Sequence, residues 1–528
     1  MIKLRGIRLA LNETEAALKK RAAKKLRLGE DDISELKLIK KSLDARRKDD
    51  IHYICTLALS VSCDEAKLVS RIKSPDVELY RSVEYLIPAA LPAAPRPLVV
   101  GFGPAGMFAA LVLAKAGARP LVIERGQDAQ TRLAAVEAFR QGGVLDEECN
   151  VQFGEGGAGT FSDGKLNTGI KDSRMGWMLE QFAAHGAPES ILYDAKPHIG
   201  TDILVDVVQS IRREIISLGG EVRFGTKLKH IIMEDGRIRG AELSYMGESF
   251  TVACESLILA LGHSARDTFE ALLKQGVPME PKPFSMGVRI EHSQGDIDDA
   301  QYGRSRGELP PADYALNVHL PDGESAYTFC MCPGGEVFAA ASEAGGVVTN
   351  GMSYSKRDGI NANSALLVTL RTEDFPDKGV LSGMYWQREI ERAAYDYGGG
   401  NYCAPAQLVG DFLSGQKSAG AASVTPSYRP DVIWGDIHDV LPPRITKVLE
   451  QALPQLGKKL RGFDAADAVL TAPETRSSSP VRILRDASLQ SAITGLYPCG
   501  EGAGYAGGIS SAAIDGMRCA EAVLKTIC

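Results

Sequence analysis

The sequence predicts an α/β protein with three parts: a Rossmann-like domain split along the chain, an inserted mixed domain rich in strands, and a small N-terminal α+β domain. Three observations carry this. "LVVGFGPAGMFAALVLAKAG" (98–117) runs as apolar strand, glycine turn and apolar helix. The chain ends on a second strand, glycine loop and helix in "GLYPCGEGAGYAGGISSAAIDG" (495–516). Ahead of both, "IPAALPAAPRP" (87–97) holds four prolines in eleven residues, the composition of a linker.

With 528 residues the chain is too long for one ordinary core, and about three domains are expected. The hydrophobic content of 44% and charged content of 24% are those of a globular protein. A net charge of -7 argues against a general nucleic-acid or membrane partner. Residues 1–50 depart from this balance, with 15 Lys/Arg against 9 Asp/Glu. The start, "MIKLRGIRLALNETEAALKK", turns charged before an apolar core of a leader can form. The longest apolar run is broken by Lys115, Gly117, Arg119 and Pro120, so no membrane span is expected. Ten cysteines with no CxxC pair read as reduced thiols in a cytoplasm.

Taken in order, "IRLAL" reads as a strand and "ETEAALKKRAAKKL" as a helix capped by Asn12 or Thr14. "IHYICTLALSV" alternates like a half-buried strand. Lysines on the solvent face of the first helix account for "KKRAAKKLR" without a partner, and no aromatic residues interleave to stack on bases. Residues 201–262 read as a long helix, a strand, a meander turning at Asp235-Gly236, and a buried strand. From "PKPFSMGVRIEH" to about residue 465 the pattern is mixed strand and loop. The expected domains are 1–90, 96–280, 281–465, and 466–528 returning to complete the second.

GxGxxG occurs three times, as "GFGPAG" (101–106), "GEGGAG" (154–159) and "GAGYAG" (502–507). Only the first follows an apolar strand, opens an apolar helix and reaches a second strand ending in an acid. Gly101 serves the tight turn, Gly103 the close approach of a pyrophosphate, and Gly106 the packing of helix on strand. Pro104 and Ala105 open the helix, whose free N–H groups and dipole favour phosphate. Glu124, 18 residues past Gly106, is placed to accept ribose hydroxyls. Only 21 residues follow Gly507, too few for a second nucleotide domain. That end of the chain returns beside the first cofactor site instead, and a cofactor held by both segments is long, which favours FAD.

"GFGPAG…VIERG", "LILALGHSARDTF" and "GLYPCGEGAGYAGGISSAAIDG" together resemble the glutathione-reductase-type FAD-binding fold. More narrowly, with "QFGEGGAGTFSDGKLNT", "KPFSMGVRIEH", "CMCPGGEV" and "ETRSSSPVRI", the chain resembles a family of uncharacterised FAD-dependent dehydrogenases over most of residues 95–528. The resemblance implies a Rossmann-like FAD-binding domain with the pyrophosphate at Gly101, Gly103 and Gly106, the ribose at Glu124, and Arg125 near the adenine or phosphates. It puts the Leu228 backbone beside adenine, Ala260 and Gly262 under the cofactor, and Glu501, after Gly500, on the ribityl chain. The loop with Gly157, Ala158, Gly159, Thr160, Ser162 and Lys165 would wrap the flavin side. Gly508 and Ile509 would aim a helix N-terminus at the flavin, stabilising its anionic reduced form.

A flavin carries the redox chemistry, so the protein need only bind, orient and tune it. Arg289, Cys332 and Arg476 are the candidate catalytic residues, an arginine being suited to hold a carboxylate in two-point fashion. His263, next to Gly262, could hydrogen-bond a cofactor phosphate or cap the following helix region, and capping or packing is favoured. In "YTFCMCPGG", Cys330 and Cys332 are expected on one face of a strand with Met331 on the other. A bridge between them would be strained, so a structural strand is favoured over a pocket-lining thiol or a redox-active pair. No metal site and no Ser-His-Asp pattern is legible. The expected activity is an FAD-dependent oxidoreductase, a dehydrogenase acting on a small molecule, reduced by its substrate, by transiently docked NAD(P)H or by an electron-transfer protein. The alternatives are a reductase of C=C bonds in an apolar or prenyl-type substrate, and an RNA-associated flavoprotein that docks through residues 1–50.

Overall fold

In the computed structural model, residues 1–81, 84–90, 95–303, 307 and 309–527 are described. The N-terminal unit runs Ile2–Ala10, helix Ala16–Leu26, Ile33–Asp44, His52–Val61, helix Glu65–Ile72 and Val77–Leu79. Its four strands form one antiparallel sheet with His52–Val61 and Val77–Leu79 flanking Ile2–Ala10, the ferredoxin-like βαββαβ arrangement. The first helix opens at Ala16 with no side-chain cap, so neither Asn12 nor Thr14 plays that part. Part of the unit's cationic surface is paired: Arg8 meets Asp50, Arg21 meets Glu13, Lys25 meets Asp76 and Arg5 meets Glu78. The unit docks through Lys41, whose N–H donates to Tyr193 O and whose carbonyl accepts from Ala195 N. Of the proline-rich linker 87–97, residues 91–94 lie outside the described residues.

The Rossmann-like sheet has five parallel strands in the order Leu496–Pro498, Leu257–Leu259, Leu98–Val100, Leu121–Ile123, Glu221–Arg223. The last strand of the chain thus adds to one edge of a sheet begun some 400 residues earlier, which makes the domain discontinuous. The helix Pro104–Lys115 is buried on every side from Ala105 to Ala114, because the helices Thr201–Ser217 and Ile509–Ile527 pack against it. The meander Thr226–Glu234, Arg237–Tyr245 and Glu248–Ala253 turns at Asp235 and Gly236, both with positive φ.

The inserted sheet has seven strands, in the order Asn317–His319, Ser325–Cys332, Asn361–Leu370, Phe284–Ser293, Val469–Glu474, Ala404–Leu408, Val432–Trp434. Its central strands Phe284–Ser293 and Asn361–Leu370 are buried along nearly their whole length, with the helix Pro443–Lys459 covering one face. Val469–Glu474 departs from expectation. It lies within 466–528, yet it pairs with Phe284–Ser293 and Ala404–Leu408 at the heart of the inserted sheet. The chain leaves that sheet only after Glu474, and local pattern cannot tell one buried strand's sheet from another's.

Candidate functional site

At the C-terminal ends of the parallel strands, where open α/β sheets bind ligands, the two large sheets enclose a cavity of about 390 Å³. Gly101, Gly103, Pro104, Ala105, Glu124, Arg125, Leu228, Ala260, Gly262, Glu501, Gly508 and Ile509 line it. So do Gly157, Ala158, Gly159, Ser162 and Lys165 from the second glycine run, which is buried between the sheets along most of its length. Residues from six separated segments therefore meet at one space.

Two glycines are demanded by the chain itself. Gly101 has φ +98°, and a Cβ there would strike the Ala260 carbonyl. A Cβ on Gly106 would run into the Gly101 carbonyl oxygen, so the helix could not sit against the turn. Gly103 differs: its nearest neighbour is 3.6 Å from an added Cβ, so its open side faces the cavity. Gly508 likewise has open space around it and precedes the helix Ile509–Ile527, whose first N–H groups have no partner within the helix.

Glu124 is buried at the wall, and its carboxylate organises the floor. Oε2 accepts from Phe102 N at 2.8 Å, and Oε1 accepts from Gly126 N and Gly154 N, each at 2.9 Å. One acid thus ties the first glycine turn to the second glycine run. His263 Nδ1 meets Glu501 Oε1 at 3.0 Å, while its buried Nε2 has no hydrogen-bond partner among the described residues. His263 therefore pairs with Glu501 at the wall rather than capping a helix.

Open glycine backbone, two helix N-termini, a buried acid and an unpartnered imidazole nitrogen fit a long, anionic, hydroxyl-bearing dinucleotide. Gly106, Thr160 and Gly500 do not reach the wall: Gly106 and Gly500 pack against Gly101 and Ala105, and Thr160 Oγ1 donates to Glu155 O at 3.4 Å. Arg125 lines the cavity with its guanidinium paired to Glu148 at 2.7 Å and Asp267 at 2.9 Å, which leaves two of its five N–H groups outside those bonds. Lys165 Nζ donates to the Met331 carbonyl, and Ser162 Oγ to Gly159 O at 2.7 Å.

The catalytic expectations need correction. Arg289 is fully enclosed beneath the cavity, donating to Asn363 Oδ1 at 2.9 Å, Glu474 Oε1 at 3.2 Å and Cys330 O at 2.6 Å. Cys332 is also fully buried, its sulfur accepting from Arg289 at 3.4 Å. Neither touches the space, whereas Cys330 and Glu474 do. The cause is a bulge: the register of Ser325–Cys332 on Asn361–Leu370 slips between Phe329 and Cys332, and Cys330 takes φ +41°. Strict alternation fails there, so Cys330 and Cys332 do not simply share a face.

Arg476 does line the cavity, but its donors are shared among Glu391, Ser264 and Ser342. Glu391, on the helix Ser382–Tyr397, carried no signal in the sequence, because its partners come from segments about a hundred residues away on either side.

Charge at the wall is unusual. Hydrogen bonding from Cys332 lowers the Cys330 thiol to about 6, helped by the Arg289 and Lys165 charges and opposed by burial. Cys332, as donor in that pair and buried, is pushed well up. Burial raises the Glu474 carboxyl to about 7, against the pull of Arg289. Among the described residues Cys499, Asp515 and Cys519 lie close together, but Arg485 already pairs with Asp515 at 2.7 Å, and no metal is assigned there.

Residues 283–477 match the family described as FAD-dependent protein, C-terminal domain-like, and residues 1–60 match a domain of unknown function, DUF8436. A protein of Clostridium beijerinckii described as uncharacterized is 47% identical over 99% of this chain and 98% of its own length. Among solved structures, a triple mutant of the flavin-dependent brominase Bmp2 is similar at 14% identity, covering 82% of this chain and 80% of that one, with a TM-score of 0.38. A geranylgeranyl bacteriochlorophyll reductase-like protein of Thermoplasma acidophilum is similar at 15% identity, covering 82% and 78%, with a TM-score of 0.37. Those scores are too low for any shared chemistry to be read from them. No helix of the described residues is long and apolar enough to cross a membrane.

Proposed function

Because this chain belongs to one family with its Clostridium relative, a family of FAD-dependent proteins, we propose that it is an oxidoreductase whose small-molecule substrate meets the cofactor between the Rossmann-like and inserted sheets. One observation carries this reading. The cavity that holds Glu124, the glycine turns and the N-terminus of Ile509–Ile527 is continuous with Cys330 and Glu474 on the inserted sheet. Cofactor-binding groups and titratable groups thus share one enclosed space.

FAD, when bound, supplies the two-electron chemistry of a dehydrogenase, with hydride exchanged at flavin N5. Everything else falls to the chain. Gly101, Gly103 and the first turn of Pro104–Lys115 would hold the pyrophosphate, and Glu124 the adenosine ribose. His263 and Glu501 would hold hydroxyls or a phosphate further along. The helix Ile509–Ile527 presents its positive end to the space, favouring negative charge there. Glu474, with its carboxyl at about 7, is suited to hold or release a proton at its Oε atoms near neutral pH. The inserted sheet excludes bulk water from that side.

Anaerobic titration of the FAD-loaded protein with NADH, NADPH and small organic acids, followed by flavin absorbance, tests the reading. Bleaching by one of them is the expected result. A purified protein that neither carries nor takes up FAD would sink it.

A further inference from the structure

The proposed dehydrogenase reading gives no chemical step to Cys330, at the cavity wall, or to Cys332, buried behind it. Their placement is specific. The bulge at Cys330 adds a residue to Ser325–Cys332 opposite Asn363–Ala365, which contracts the strand between the two cysteines and turns Cys330 into the cavity. Behind it, the Cys332 thiol donates to the Cys330 carbonyl at 3.3 Å. Arg289 bonds both residues, at the Cys330 carbonyl and the Cys332 sulfur. Lys165 lies on the adjoining Met331 carbonyl. A half-buried thiol facing a cavity, flanked by two cations and backed by a second thiol, is the arrangement of an attacking and a resolving cysteine.

We propose that Cys330 and Cys332 form a dithiol–disulfide couple, with Cys330 attacking a small disulfide in the cavity, Cys332 resolving it, and reduced FAD restoring the pair. The final step rests on the FAD reading above; the first two do not. In the first, the Cys330 thiolate attacks one sulfur of the disulfide, whose S–S bond breaks, and one thiolate leaves. In the second, Cys332 gives up its proton to a departing thiolate and attacks the Cys330 sulfur, so the second half leaves and an intrachain S–S bond forms. In the third, reduced FAD supplies two electrons and one proton, returning Cys330 as thiolate and Cys332 as thiol. The pair stands on the inserted sheet, so it reaches the cofactor from the substrate side. The low value of the Cys330 thiol, about 6, makes it reactive at a pH where an ordinary thiol is protonated. Closing a ring across a single residue gives a strained, easily reduced bridge, suited to passing electrons on rather than storing them.

The experiment uses FAD-loaded, dithiothreitol-reduced, desalted protein without oxygen, with 5,5′-dithiobis(2-nitrobenzoate) as the disulfide. At pH 6 a fast phase is expected to release two thionitrobenzoates per chain, with peptide mass spectrometry showing Cys330 joined to Cys332. Its first step should run about tenfold faster than labelling of the exposed Cys63, since thiolate fraction gains more than nucleophilicity loses. Cys330→Ser should abolish the fast phase, and Cys332→Ser should release one thionitrobenzoate and keep a mixed disulfide at Cys330. A fast phase surviving in Cys330→Ser, or a stable mixed disulfide at Cys330 in the parent protein, overturns the couple. In a second arm, photoreduced flavin should be reoxidised by the same disulfide in the parent protein and not in either variant. A closed bridge beside flavin that stays reduced overturns the third step, and failure to load FAD at all is seen separately in the absorbance.

Discussion

Glu391 grips Arg266 at two points, with Arg266 Nη1 donating to Oε2 and Nη2 to Oε1, each at 2.8 Å, and both side chains are almost wholly buried. The same carboxylate accepts from Arg476 Nε and Nη2, and Oε1 also accepts from Thr475 Oγ1 at 2.7 Å. Glu391 therefore sits between two buried guanidiniums, with the partly exposed Glu343 also pairing Arg266 Nη1 at 2.6 Å, and it pins the Rossmann-like domain, through Arg266, to Thr475 and Arg476 at the end of Val469–Glu474. Glu391→Ala leaves the two arginines with only the partly exposed Glu343 as counter-charge and should cost about 3–5 kcal/mol. Urea unfolding followed by tryptophan fluorescence would measure it, and a loss below 1 kcal/mol would contradict this account.

The same group sets an acid limit. Burial alone would raise the Glu391 carboxyl, but the Arg266 and Arg476 charges hold it far below the ordinary carboxylate range. Its folded value is depressed, so its stabilisation is fully present above about pH 4.3, the ordinary glutamate value. It is lost progressively as pH falls below that. Glu391→Gln should flatten this acid limb of the stability curve, measured as urea midpoint between pH 3 and 6.

Gly106→Ala places a methyl against the Gly101 carbonyl, and relief requires the helix Pro104–Lys115 to shift from its strand. Such overpacking costs about 1–3 kcal/mol. Because the same turn faces the cavity, flavin content should fall with stability. Equal flavin content and midpoint in the variant would show that the turn tolerates the shift.

Glu124→Gln exchanges an acceptor for an amide whose N–H₂ would face the backbone donors of either Phe102 or Gly126 and Gly154. Leaving buried donors unsatisfied costs about 1–3 kcal/mol. FAD affinity, read by quenching of flavin fluorescence, should drop with it. An unchanged affinity would remove Glu124 from the ribose.

His263→Ala deletes an imidazole whose Nε2 has no hydrogen-bond partner among the described residues and whose Nδ1 partner, Glu501, is itself at the cavity wall. The expected result is FAD bound about tenfold more weakly, the worth of one hydrogen bond, with little change in the apoprotein's unfolding midpoint. A large stability loss with unchanged affinity would make the residue structural instead.

The sequence by itself determined the features whose physics is local. The turn at Gly101–Gly106 is legible because positive φ and the clash of a Cβ with Gly101 are decided within six residues. Glu124 follows from strand length, and the alternation of His52–Val61 from the pleat. Tertiary structure alone decided the rest. Val469–Glu474 joined the inserted sheet because pairing partners lie about 65 and 180 residues away in the chain, and strand pattern says nothing of which sheet a strand enters. Arg289 and Cys332 were expected at the substrate, but the sheet buries both beneath the cavity, where they bond Glu474, Asn363 and Cys330. Cys330 faces the cavity only because its strand gains a residue against Asn361–Leu370, a register slip that depends on the neighbouring strand. Chemistry in this protein was legible where a few neighbouring residues meet their own backbone, and hidden where distant strands choose which side chain reaches the cavity.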